Sequence, residues 1–337
     1  MTGNKAAREG NFPRRLLASR TPHRSAQDGV FRRRQGHPRD GGEPFAKEGP
    51  VKQSLVNLLP PATLAAVIAF WGLAPQSWVE APWTIIIVGL GVIAFVQLLE
   101  LVFERHEGWR INGRELATDV FYVAFGYGVI GFLSDRLING PLGQLKDSLG
   151  IATPWLAASP FLVQVMVVLF LFEFGQYWMH RAMHNCHPLW LTHAPHHHVT
   201  QLNAMKGFIG NPIELFLISI GVNALLDVDL NALFAAITAG GVIATYAHAN
   251  VKADPPIWYG FFFTTIRNHS LHHTALSYED TRCNYGNSVI LWDRVFGTYK
   301  EGESEVVGQD ERRRLSIREQ WLFPFMPLLE RAKRADS

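Results

Sequence analysis

Cysteine is nearly absent. The chain has two, Cys186 and Cys283, too few for a disulfide framework, so both read as thiols of a reducing compartment. Charge is scarce too: Asp, Glu, Lys and Arg make up 18% of 337 residues, against 48% hydrophobic. That balance fits two soluble domains or one polytopic membrane domain with soluble ends. The distribution decides, because the apolar residues fall in long runs such as Trp83 to Val102 and Phe161 to Trp178, and a bilayer-spanning helix needs about 20 such residues. No short apolar core with a small-residue cleavage site follows the start, so no cleaved secretory signal is expected. HExxH is missing as well, which removes the usual zinc-protease arrangement of ligands and general base.

Residues 1–52 are rich in Arg, Gly and Pro, include Arg32, Arg33 and Arg34, and lack hydrophobic periodicity. They are expected to form a disordered basic tail on the cytosolic side, touching anionic lipid. Glu9, Asp28, Glu43 and Glu48 argue against an organellar transit peptide. Six apolar segments follow, at Leu55 to Leu73, Trp83 to Val102, Val120 to Leu137, Phe161 to Trp178, Ile213 to Leu226 and Ala232 to Tyr246. Pro60 and Pro61 interrupt the first. The last two are short for full spans, and with only a few residues around Asp227 and Asp229 between them they fit a re-entrant hairpin. With a cytosolic tail, Arg105, Arg110, Arg114, Arg181, Lys206 and the basic residues from Lys252 onward share its side, leaving Arg136 and Lys146 opposite, in agreement with the positive-inside rule.

Histidine is what the chain has in excess. Of its 14 histidines, nine form a patterned set. HRAMH supplies His180 and His184, HAPHH supplies His193, His196 and His197, and HSLHH supplies His269, His272 and His273; His248 ends the sixth apolar segment. Residues three and four apart share a helix face, so each box presents imidazoles in one direction. Neutral imidazole suits iron, zinc, copper or nickel rather than magnesium or calcium. One ion takes three or four ligands; nine imply two ions sharing the cluster. Pro195 disfavours helical geometry at Ala194, which predicts His193 just outside the helix carrying His196 and His197. His187 and His198 beside the boxes, His106 in a loop, and His23 and His37 in the tail are expected to stand apart. HPRDGG at His37 does not match the HPGG of a fused haem electron carrier.

These boxes, with the run NYGNSVILWDRVFGTY from Asn284 to Tyr299, resemble the sterol desaturase and fatty acid hydroxylase superfamily of membrane di-iron oxygenases, from about Glu173 to Tyr299. The family signature is HxxxH, HxxHH and a final HxxHH, and all three stand here in order. His248 is similar to the isolated histidine that the family places before the third box. Some members add another histidine one turn away, where this chain has Ala244 and Lys252, so a tenth ligand comes from elsewhere or is absent. The resemblance implies two non-haem iron ions, an apolar substrate tunnel, a membrane lipid substrate and a separate electron donor, a ferredoxin or a cytochrome b-type protein with its reductase. No nucleic-acid partner is expected.

The expected fold is all-α: a polytopic transmembrane helical bundle with a cytosolic helical cap carrying the histidine cluster, in a bacterial inner membrane or the endoplasmic reticulum. Residues 53–155 would hold the first transmembrane helices, 156–300 the catalytic domain and 301–337 a cytosolic tail. Glu173, seven residues before His180, lies nearly on the same helix face and is a candidate to accept a ligand histidine's second ring N–H; interhelical packing explains it equally. Asn203, Glu214 and Asn284 are weaker candidates for that supporting role. Trp178, Trp190, Trp258, Phe261, Phe262, Phe263 and Trp292 fit the lining of a lipid entrance or, for most of them, an interfacial belt or helix packing, and WDRVFGTY is expected to dock the C-terminal cap. Breaking an unactivated C–H bond requires an oxygen-activating centre, so the reaction is hydroxylation or desaturation of a sterol or terpenoid, fatty acyl, sphingolipid, ether lipid or aminolipid. The rival reading is a metal transporter or metal-binding membrane protein, which would place ionisable residues deep along the spans; a membrane zinc hydrolase is a second.

Overall fold

Proline sets where the first apolar segment begins. In the computed structural model, which describes residues 50–221 and 223–329, helix α1 runs Leu59–Leu73 with its prolines in the first turn, where a missing N–H costs no hydrogen bond. A short helix, Pro50–Asn57, precedes it. The expected basic tail lies outside the described residues up to residue 49.

Four helices are long and apolar enough to cross a membrane: α2 (Thr84–Val102), α3 (Gly113–Leu149), α4 (Phe161–Asn185) and α7 (Leu230–His248). No strand occurs among the described residues, so the chain is an all-α membrane bundle. Asn112 opens α3 by accepting Arg114 N and Glu115 N at 3.1 Å. Two wide π-helical turns, Gly126–Ile130 and Asp135–Asn139, interrupt its α geometry. At 37 residues, or roughly 55 Å by a rise of 1.5 Å per residue, α3 exceeds a hydrocarbon core of about 30 Å.

Two expectations need correction. The sixth apolar segment is not short: α7 has 19 residues and packs against α1, α2 and α4, through buried Ala232, Ala235, Ala236 and Ala239, which let backbones approach closely. Of the last two, the fifth alone is short, helix α6 at Pro212–Ile218, started by a capping box between Asn211 and Glu214. Helix α5, His187–His197, also continues through Pro195 and includes His193. It forgoes the bond that residue 195 would donate to Leu191, and burial of His193, Ala194, Pro195, His196 and His197 holds that turn in place.

The histidine-bearing ends of α4 and α7 lie together, beside α5 and helix α8 (Ile266–His272). At the opposite end Lys146 pairs with Asp227 and Gln164 Nε2 donates to Asp229 at 3.0 Å. Residues 301–329 pack on the histidine side. Glu303 takes a forked pair of bonds from Arg105 at 2.6 and 2.7 Å. Tyr122 donates to Gln320 at 2.6 Å, on helix α9 (Ile317–Leu322).

Candidate metal centre

The HRAMH box sits on the last turns of α4, HAPHH on the last turns of α5, HSLHH on α8 and its cap, and His248 on the last residue of α7. Where these ends meet, the nine histidines of the sequence pattern are all buried and divide into two groups. His180, His184, His193, His197 and His272 form one; His196, His248, His269 and His273 form the other. The groups abut where the His197 and His273 rings stack at 4.5 Å.

His193, which Pro195 was expected to displace, is central to the first group. Its Nε2 lies 3.0 Å from that of His180 and 3.1 Å from those of His184 and His197. In the second group, Nε2 of His269 lies 2.9 Å from that of His248 and 3.2 Å from that of His273.

Ring tautomers decide what these approaches mean. His180 Nδ1 donates to Tyr285 O and His272 Nδ1 to Cys283 O, both at 2.7 Å. A carbonyl oxygen only accepts, and a neutral imidazole carries one proton, so Nε2 is bare on both rings. These two bare nitrogens nevertheless lie 3.1 Å apart. The second group repeats the pattern: His196 Nδ1 donates to Ile209 O at 2.8 Å and His248 Nδ1 to Ala244 O at 2.9 Å. Burial pushes the imidazole of His193 down to about 3 and that of His196 to about 4, and holds His197, His269, His272 and His273 well below the ordinary value. Lone pairs facing one another without protons repel. A cation among them removes the conflict, and adjacent nitrogens each about 2.1 Å from one ion stand about 3 Å apart. The donor set therefore fits a transition-metal ion in each group.

The loop after α8 supplies the orienting carbonyls. Asn284, in the left-handed region at φ 52°, turns the chain between Cys283 and Tyr285, and its side chain bonds Asn268 O, Lys300 O and Lys300 N at 2.8 to 3.0 Å. Asp293, within WDRVFGTY, accepts Tyr285 N and Gly286 N at 2.7 Å. That motif therefore braces the loop holding His180 and His272, a role its expected docking of a cap did not include.

Glu214 is the carboxylate beside a ring: its Oε1 lies 2.6 Å from His193 Nδ1. Glu173 has a different neighbour, accepting Ser288 N at 3.0 Å, and bonds no histidine ring among the described residues. Asn203 donates to Asp119 at 2.8 Å, within a buried network where Lys206 pairs with Glu115 and Asp119 at 2.5 and 2.7 Å. The sequence places Lys206 only on the side of the basic tail; its network is hidden there because its partners lie about 90 residues away. His187 and His198 lie outside both groups. His198 bonds Ala194 O and Asp310, and His106 faces Glu303 at 2.8 Å. His23 and His37 lie outside the described residues. Of the expected aromatic residues, Trp190 lies 5.2 and 5.4 Å from the rings of His184 and His197.

A cavity of about 760 Å³ leads to the cluster. His180, His193, His196 and His248 close one end, and its walls come from α3, α4, α7 and the segment after α6. Leu169, Phe172, Leu233, Phe234 and Ile237 make much of the lining apolar.

Residues 165–298 match the fatty acid hydroxylase family model. An ornithine lipid hydroxylase of Rhizobium tropici is 26% identical over 270 residues, 76% of this chain and 78% of that protein. A Delta(7)-sterol-C5(6)-desaturase of Nicotiana tabacum is 29% identical over 162 residues, 45% of this chain and 54% of its own. The human alkylglycerol monooxygenase is 24% identical over 137 residues, 40% of this chain and 30% of its own. The chain thus spans about half or less of the last two. No solved structure matches it.

Proposed function

Because the chain carries a fatty acid hydroxylase domain built around its buried histidines, and its hydroxylase, desaturase and monooxygenase relatives are oxidoreductases, we propose that it is a membrane di-iron oxygenase. Its reaction is hydroxylation or desaturation of a lipid, with O2 and electrons from a separate ferredoxin or cytochrome b-type donor. One observation carries this reading: two abutting groups of five and four buried histidines close the end of an apolar cavity.

The proposed ligands are His180, His184, His193, His197 and His272 for one iron and His196, His248, His269 and His273 for the other. Iron supplies the redox change and oxygen chemistry that zinc lacks and that an unactivated C–H bond requires. The protein's part is positional. Backbone carbonyls of Tyr285, Cys283, Ile209 and Ala244 hold four rings with Nε2 turned inward. Glu214 fixes His193 and raises its basicity. The apolar walls exclude water and align a hydrocarbon chain with the cluster. Residue 252 is a lysine and Ala244 offers no ligand atom, so the second group works with four imidazoles. By the distribution of basic residues, the cluster faces the cytosol.

The test is metal analysis combined with lipid mass spectrometry. Iron-loaded protein with about two ions per chain should consume oxygen when reduced, and cells lacking the gene should lose an oxidised or unsaturated lipid. Bound metal that exchanges across vesicles without oxygen consumption would favour the transporter instead.

A further inference from the structure

The cavity has two chemically different ends. On α3 its lining runs from Gly126 to Asn139, and on α7 from Leu233 to His248, roughly 20 Å along each helix at 1.5 Å per residue. Gly126 marks the metal end of α3, since it packs on Phe208, whose neighbour Gly207 packs on the His248 ring. Asn139 is therefore at the far end. Hydrocarbon walls separate the histidines from a polar mouth formed by Ser134, Asp135, Asn139, Ser219 and Asn223.

Three features of that mouth need an explanation. Asp135 is exposed at that mouth, and no side chain bonds it among the described residues; adjacent Arg136 lies over the Phe132 ring at 5.7 Å instead. Of the other acids at this end, Asp227 pairs with Lys146 and Asp229 with Gln164, and exposed Asp147 lies outside the lining. The second π-helical turn of α3 is Asp135–Asn139 itself, an irregularity common at functional sites. Asn223 Oδ1 is buried with no partner among the described residues. Among the described residues no Lys or Arg lines the cavity.

We propose that this cavity takes an amphiphile with a cationic amine headgroup, held at the mouth by Asp135 with Asn139 and Asn223, its hydrocarbon chain extending to the histidines. A carboxylate and amide oxygens accept from an ammonium group, whereas an anionic headgroup would meet Asp135 with no cation in the lining to offset it. The oxidised carbon then lies on the chain, remote from the headgroup. The assignment rests on the lipid-oxygenase reading for what the site does, though not for what it binds.

Binding is therefore measured on the metal-free protein in detergent, by displacement of a fluorescent long-chain probe with an amine, an alcohol and a carboxylate of equal chain length. The amine should bind about tenfold more tightly than the carboxylate. Asp135→Asn should erase that preference and Asp135→Lys reverse it. Asp147→Asn, an exposed acid at the same end outside the lining, should leave it intact. Equal affinity for amine and carboxylate, or an equal loss from Asp147→Asn, would overturn the assignment and leave only general surface charge. In the iron-loaded enzyme, failure of turnover with the amine preference intact would count against the oxygenase reading and leave the headgroup site standing.

Discussion

Nε2 of His180 and Nε2 of His272 lie 3.1 Å apart, and neither carries a proton, because each ring has committed its proton to a backbone carbonyl. The protein is thus built around a repulsion that an ion relieves. Residues that hold such rings matter nearly as much as the rings themselves.

The two groups should lose metal separately. His193→Ala should reduce iron from about two ions per chain towards one by emptying the five-histidine group, and His269→Ala should do the same for the other. Both should abolish turnover while leaving the protein in the membrane, since insertion depends on apolar spans. Metal analysis of purified membranes checks this; full activity with one ion would refute the di-iron reading.

Glu214→Gln and Glu173→Gln should behave differently. The first removes the carboxylate from His193 and should weaken iron retention about 10 to 100-fold. The second keeps an oxygen for Ser288 N and should have a much smaller effect. Chelator competition ranks them, and equal losses would mean Glu173 also acts on the metal.

Asp293→Asn should disturb the site without touching a ligand. Its amide cannot accept from both Tyr285 N and Gly286 N, and a buried N–H left unpaired costs about 1–3 kcal/mol. Lower thermal stability of the metal-free protein, together with weaker iron retention, is the expected outcome.

Acid should destabilise the metal-free fold. Buried His193 and His196 remain neutral to about 3 and 4, whereas the unfolded chain takes up protons near 6.5. Between those values the unfolded state binds more protons, so stability is fully present above about pH 6.5 and falls as pH drops towards 4. Thermal unfolding at pH 7.5, 6 and 5 should show that decline, and His196→Ala should flatten it.

Topology is testable at exposed positions. Cysteines at Arg110 and Lys300 should label from one face of the membrane and a cysteine at Asp147 from the other. Lys206 is unsuitable, being fully buried between Glu115 and Asp119. Labelling of residues 110 and 300 from opposite faces would separate the boxes and refute the shared cluster.

The sequence by itself determined the class of helix and the set of histidines. Apolar runs near the length of a bilayer predict spans whatever packs beside them, and i, i+3 and i, i+4 spacing places imidazoles on one face before any partner is known. Tertiary structure alone decided how the nine divide, since the His193 group draws on α4, α5 and α8 and the His248 group on α5, α7 and α8. It also kept His193 in the helix despite Pro195, because buried packing outweighs one lost hydrogen bond. The carboxylate at the ring proved to be Glu214 rather than Glu173: helical phase places Glu173 on the face of His180, but only the fold shows that Ser288 occupies it. Distance in sequence hid Lys206 and its acids for the same reason, as burial makes partners of residues that local pattern cannot pair.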